Sequence, residues 1–208
     1  MCSRYSRIER IKNNYSFKDK VSLAMRVLLS RLCYPSARLI RRGFVIRGRE
    51  MVDLGTNLTT GYNCRLEAFL TGSDAKKKIV FGNNVQLNDN VHISSLKSVI
   101  LGNDVLVASH CYISDNSHGF YNGNEEDTSP LIKPVKRPYM VSPVCIGDNV
   151  WIGEGVIIMP GVTVGNGAVI GAHSVVKNSI PDNCIAVGAP AKIIKKWDSL
   201  TERWIKVE

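Results

Sequence analysis

From Ile146 to Pro181 the sequence reads IGDNVW, IGEGVI, IMPGVT, VGNGAV, IGAHSV and VKNSIP, an aliphatic residue at every sixth position. Glycine follows that residue at Gly147, Gly153, Gly165 and Gly171, and a small or β-branched residue stands four positions on. A short fixed period dictates architecture, because each repeat buries its apolar side only by stacking on its neighbours. Period six is neither the ~3.6 of a helix nor the ~2 of an ordinary strand. It suits a coil with three equal sides, each a short strand plus a corner. The first residue of each hexad then points inward, and Gly or Asn-Gly supplies the backbone freedom a corner needs.

The same register continues upstream. Leu54, Thr60 and Leu66 form one inward set; Phe81, Leu87 and Ile93 a second; Leu101, Val107 and Ile113 a third. Ile146, Ile152 and Ile158, then Val164, Ile170 and Val176, complete about five coils. Lys97 interrupts the companion position four residues on, so its side of the coil should be distorted. Thr71–Val80 and Gly119–Cys145 fall outside the register and read as extruded loops. The expectation is an all-β solenoid over residues 51–188, preceded by a helical segment over 1–50 and closed by a short C-terminal helix over 189–208. The helical reading of the last segment rests on AKIIKKWDSLTERW. Spacing leaves the hand of the coil open.

The net charge of +9 is unevenly placed. Residues 1–50 hold thirteen Lys or Arg against Glu9, Asp19 and Glu50, a balance of +10, and the remainder carries −1. Ser16 can cap a helix from Phe17 to about Leu32, with Val21, Met25, Leu28 and Leu32 along one side. That helix reads either as a basic amphipathic element on an anionic membrane or as one packed against the prism with its charges solvated. No nucleic-acid module accompanies the charge. Six cysteines without CxxC spacing argue for a reducing cytoplasm and against a zinc site. Neither an apolar run of spanning length nor a signal-peptide pattern is present.

The chemistry-bearing signal is Ile113-Ser114-Asp115-Asn116-Ser117-His118-Gly119-Phe120, where the chain leaves the third coil. A histidine held there by strand structure yet open to solvent can take a proton from a hydroxyl or amine near neutral pH. The SDNSHGF run, the VWIG run and the GAPAKII tail together resemble the hexapeptide-repeat acetyltransferases, over about residues 52–196. Galactoside and maltose O-acetyltransferases and the O-acetyltransferases of bacterial surface polysaccharides belong to that family. The resemblance implies a left-handed parallel β-helix, an exception to right-handed crossovers. It also implies acetyl-CoA as donor, no metal, a saccharide acceptor, and a homotrimer with active sites between prisms.

By position, His118 matches the family's general base, and Asp115 is the residue placed to orient its imidazole. Asn88 matches an acceptor-contacting asparagine, with Gln86 beside it. Trp151, Gly153, Glu154, Ala172, Lys177 and Asn178 fall at donor-groove positions. Lys192 and Lys195 match two basic residues, commonly Arg, that approach the donor's phosphates. Glu154 departs from the pattern, standing where a serine is familiar; an ionised carboxylate cannot donate a hydrogen bond there. The corner or outward histidines His92, His110 and His173 receive no role.

The resulting expectation is a cytoplasmic acetyltransferase, peripheral to the inner membrane face at most. It acts on a sugar hydroxyl in lipopolysaccharide O-antigen or capsule synthesis. The alternatives are an N-acetyltransferase on a nucleotide-linked amino sugar, and a non-catalytic scaffold. A metal hydratase needs three convergent imidazoles, and His92, His110 and His118 lack the required spacing.

Overall fold

The computed structural model of the chain describes residues 15–71 and 76–207. Short parallel strands stack into the three faces of a prism. The first face stacks Val52–Asp53, Ile79–Phe81, Val99–Leu101, Val144–Ile146 and Thr163–Val164. The second stacks Thr59–Thr60, Gln86–Leu87, Leu106–Val107, Trp151–Ile152, Val169–Ile170 and Cys184–Gly188. The third stacks Val45–Arg47, Arg65–Ala68, His92–Ser95, Tyr112–Ser114, Ile157–Ile158 and Val175–Val176. Every inward residue read from the hexads, Leu54 through Val176, is buried. So are the companions four positions on at Leu58, Cys64, Val85, Val91, Val105, Cys111, Val150, Val156, Val162, Ala168 and Ser174, whereas Leu70 and Lys97 are exposed.

Corners are built from residues that tolerate positive φ, such as Asn63, Asn90 and Asn149. His110 and His173 occupy the same left-handed corner conformation, at φ 60° and 56°, so their place in the sequence has a backbone explanation. Along another edge, side chains form a ladder. The backbone N–H of Asn103 donates to Asp148 Oδ1 at 2.6 Å, and that of Asp148 to Asn166 Oδ1 at 2.8 Å. The N–H of Asn166 donates in turn to Asp182 Oδ1 at 2.8 Å.

Both ends of the prism differ from the reading of the hexads. At the start, Val45–Arg47 pairs in parallel with Arg65–Ala68, so stacking begins upstream of residue 51. At the other end, the expected C-terminal helix is a β-hairpin. Ala191–Asp198 pairs antiparallel with Cys184–Gly188 and with Arg203–Lys206. The last rung presents a row of backbone N–H and C=O groups that need partners, which a strand supplies and a helix does not. Ala191 and Ile193 pack on the core, and Trp197 meets Trp204 edge-on at 5.5 Å.

Helix α1 runs Phe17–Cys33 with Ser16 as N-cap: the Asp19 N–H donates to Ser16 Oγ, and the Ser16 N–H to Asp19 Oδ2. Ser30, buried on its inner side, ties the helix to the prism by accepting the Ile40 N–H at 2.7 Å. Leu23, Arg26 and Val27 are half-buried, whereas Val21, Met25, Leu28 and Leu32 are exposed. The apolar stripe read from the sequence is therefore not the one that seats the helix.

The extruded loops are also redrawn. Residues 72–75 of the first lie outside the described residues, and Val80 belongs to the strand Ile79–Phe81. The second leaves the prism as a strand, Asn116–His118, and returns antiparallel as Tyr139–Val141. Its tip is internally bonded. The Asp127 carboxylate accepts the N–H groups of Asn122 and Gly123, while Arg137 donates to Tyr121 Oη and the Ile132 carbonyl. This is an organised arm, the compact kind of long loop.

Candidate active site

His118 stands at the base of that arm, exposed, opposite Tyr139 in the two-stranded pair. The two rings lie 4.5 Å apart, tilted by 42°. The Gly119 N–H donates to the Pro138 carbonyl at 2.6 Å, pinning the strand next to the imidazole. The ring opens into a groove of about 620 Å³ on the third face. Glu67, His92, Ser94, Tyr112, Ser114 and Asn116 line one part of it, and Met159 and Pro160 another.

Asp115 does not orient this histidine. Its side chain is wholly buried and turned into the corner that Lys97 breaks. The carboxylate accepts the backbone N–H groups of Leu96 at 2.9 Å, Lys97 at 2.7 Å and Ser98 at 2.6 Å. The Ser95 hydroxyl and the Asn116 amide also reach it, at 2.8 and 3.0 Å. The catalytic assignment of Asp115 is thus corrected: it replaces the missing hexad companion with a buried anion that holds a bent strand end.

His92, left without a role by the sequence, lines the same groove as His118. Arg65 donates to its Nδ1 at 3.1 Å, so its Nε2–H donates to Glu67 Oε2 at 2.9 Å. Burial pushes its pKa below the usual histidine value, outweighing the pull of Glu67, which keeps the ring neutral. Glu67 is buried and also pairs with Arg47 at 3.1 Å and Arg65 at 3.4 Å. This network could not be read from spacing. Glu67 and His92 are neighbours only because the excursion after Ala68 sets the next rung's register, Arg65 opposite His92.

Gln86 and Asn88 line a separate cleft on the second face, with Thr59, Tyr62, Asp89 and Ser109. Trp151 belongs to this face too, in register with Leu106, which pairs with Gln86. Its indole is 52% exposed, open to a ligand and not spent on the core. Gly153 continues from it, and a Cβ there would collide with the Ala172 backbone on the next rung. Glu154 and Ala172 are exposed at the same edge, where the His173 N–H donates to the Glu154 carbonyl at 2.7 Å. Two buried thiols brace this edge from inside: Cys64 Sγ–H donates to the Asn88 carbonyl and Cys111 Sγ–H to that of Gly153. Burial pushes the Cys64 thiol up and the Cys111 thiol up to about 11, so both stay protonated donors.

Lys177 and Asn178 are exposed beyond Val175–Val176, one rung from Met159 of the His118 groove. Lys192 and Lys195 lie on Ala191–Asp198, opposite Val187 and Ile185. One chain therefore gathers the named residues into two locales. His118 with Lys177 and Asn178 lies on one, and Gln86, Asn88, Trp151, Gly153, Glu154 and Ala172 on the other. Among the described residues no cluster of three or more His, Cys, Asp and Glu is placed to hold a metal ion. Nor is any described helix long and apolar enough to cross a membrane.

The family model for bacterial transferase hexapeptides (six repeats) matches residues 146–178. The chain is 42% identical over 199 residues to the Escherichia coli K12 protein named "Putative lipopolysaccharide biosynthesis O-acetyl transferase WbbJ", covering 96% of this chain and 99% of that one. A maltose O-acetyltransferase structure from Clostridium difficile 630 superposes with a TM-score of 0.57 at 32% identity, over 73% of each chain. A galactoside acetyltransferase in complex with coenzyme A superposes with a TM-score of 0.51 at 25% identity, over 95% of this chain and 81% of the other.

Proposed function

Because this chain belongs to the hexapeptide-repeat acetyltransferases and is an acetyltransferase using acetyl-CoA, we propose that its acceptor is a sugar hydroxyl in surface-polysaccharide synthesis. The prism takes the family's left-handed winding. The observation that carries the reading is the exposed His118 imidazole, fixed by a paired strand at the mouth of a groove large enough for a sugar ring.

His118 takes the proton of the acceptor hydroxyl as the hydroxyl oxygen bonds to the thioester carbonyl carbon. The carbon–sulfur bond breaks, and the proton passes from the imidazole to the departing coenzyme A sulfur. No acyl-enzyme forms, so the enzyme's task is positioning plus one proton transfer. The donor's residues fit the second face. Trp151 offers an open indole against which the thioester arm can lie. Gly153 and Ala172 leave backbone bare of bulk, and Lys192 and Lys195 supply positive charge for phosphates, without the bidentate fork of arginine.

The separation of the two locales supports a homotrimer, in which the groove of one prism faces Trp151 and Asn88 of the next. Sedimentation equilibrium returning a monomer at assay concentrations would remove that arrangement. The exposed stripe Phe17, Val21, Met25, Leu28 and Leu32, flanked by Lys18, Lys20 and Arg31, supports contact with an anionic membrane from the cytoplasmic side. Flotation with phosphatidylglycerol vesicles, undiminished after Val21→Ser and Leu28→Ser, would exclude that stripe as the contact.

The acceptor itself is tested by supplying acetyl-CoA with nucleotide sugars and lipid-linked glycans and weighing the products. A gain of one acetyl group on a hydroxyl is the expected outcome. Transfer confined to amino sugars would assign the enzyme to N-acetylation instead.

A further inference from the structure

The cleft holding Gln86 and Asn88 continues past them. Arg41 and Tyr62 line it and also line a second cleft of about 510 Å³ between α1 and the first strands. Arg26, Arg42 and Asp19 complete the second cleft's charged lining. Arg41 lies over the Tyr62 ring, 5.3 Å from its centroid, and donates to Tyr62 Oη at 3.4 Å, so the shared wall is a stacked guanidinium.

Three guanidinium groups therefore face one carboxylate. Asp19 is turned to the helix cap, where its Oδ2 accepts both the N–H and the hydroxyl of Ser16. Among the described residues none of Arg26, Arg41 and Arg42 has an acidic partner; Arg47 and Arg65, by contrast, pair with Glu67. Concentrated, unneutralised guanidinium in a concave site is suited to phosphoryl oxygens, which it can grip through two parallel N–H bonds. The position matters as much as the charge. Arg41 adjoins Gln86 and Asn88, and the three arginines lie at the opposite end of the prism from Lys192 and Lys195, remote from the donor's phosphates on the same chain.

We propose that the acceptor sugar is carried on a diphosphate, which the Arg26–Arg41–Arg42 cleft binds while the sugar lies at Gln86 and Asn88. This rests on the acetyltransferase reading and names its substrate class. A nucleoside diphosphate and a polyprenyl diphosphate share the chemistry.

The test is calorimetric titration of the full chain, saturated with coenzyme A so that the donor's own diphosphate subsite is filled. The probes are inorganic pyrophosphate, UDP and farnesyl diphosphate. Pyrophosphate is expected to bind, and Arg26→Gln with Arg42→Gln to weaken it at least about tenfold with coenzyme A affinity and melting temperature unchanged. Tighter binding of UDP identifies a nucleotide carrier; tighter binding of farnesyl diphosphate identifies a lipid carrier. No binding by any of the three, or equal affinity in the double variant, overturns the proposal. Failure of the acetyltransferase reading shows separately, as absence of coenzyme A binding before any probe is added.

Discussion

Replacing His118 with alanine is expected to lower turnover by about 10²–10⁴-fold while coenzyme A binds as tightly as before. The imidazole is exposed, and its strand is held by backbone pairing to Tyr139–Val141 and by the Gly119–Pro138 hydrogen bond. Removing the ring takes away a proton acceptor without opening a cavity, so stability should move by no more than about 0.5 kcal/mol. The counter-experiment is Lys192→Ala with Lys195→Ala. Those lysines lie on the C-terminal hairpin, away from the His118 groove, so their loss should raise the dissociation constant for coenzyme A and leave turnover at saturation nearly intact. The two effects separate the chemical step from donor binding. Full turnover in His118→Ala would remove the imidazole from the mechanism. His92 is not an understudy, because both its ring nitrogens are committed to Arg65 and Glu67.

Period six was enough to place the prism's interior. A residue that recurs every sixth position has only one direction to point once three sides close, and Leu54 through Val176 are all buried. The ends were less legible because the hexad rule describes a rung stacked on both sides. Ile40 and Ile46 pack on the core from a segment whose dense basic residues mask the pattern. Ala191–Asp198 carries spacing compatible with a helix, and only the open edge of the last rung makes it a strand. His118 was visible because it sits at a break in the register. Glu67 and His92 were not, since their meeting depends on where the chain resumes the register, at the strand Ile79–Phe81. Asp115 was misread for a related reason: proximity in sequence to His118 suggested partnership, while the fold turned its side chain the other way.

Asp115→Ala should be among the most damaging substitutions in the chain, and for reasons unrelated to proton transfer. The change leaves the backbone N–H groups of buried Leu96 and half-buried Ser98 without an acceptor, along with that of the exposed Lys97. Each of the two donors shielded from water costs about 1–3 kcal/mol when orphaned, so a loss of about 2–6 kcal/mol follows, against a typical domain stability of about 5–15 kcal/mol. Asp115→Asn keeps one acceptor oxygen and should lose roughly half as much. Denaturant titration reads both values directly. Activity per folded molecule should hold in Asp115→Asn, because His118 draws its position from the arm and from Tyr139. A variant that melts like the parent yet fails to turn over would reverse this assignment, returning the carboxylate to the imidazole's service. The location of the strand bend at Lys97, where the repeat loses its small companion residue, would then need another explanation.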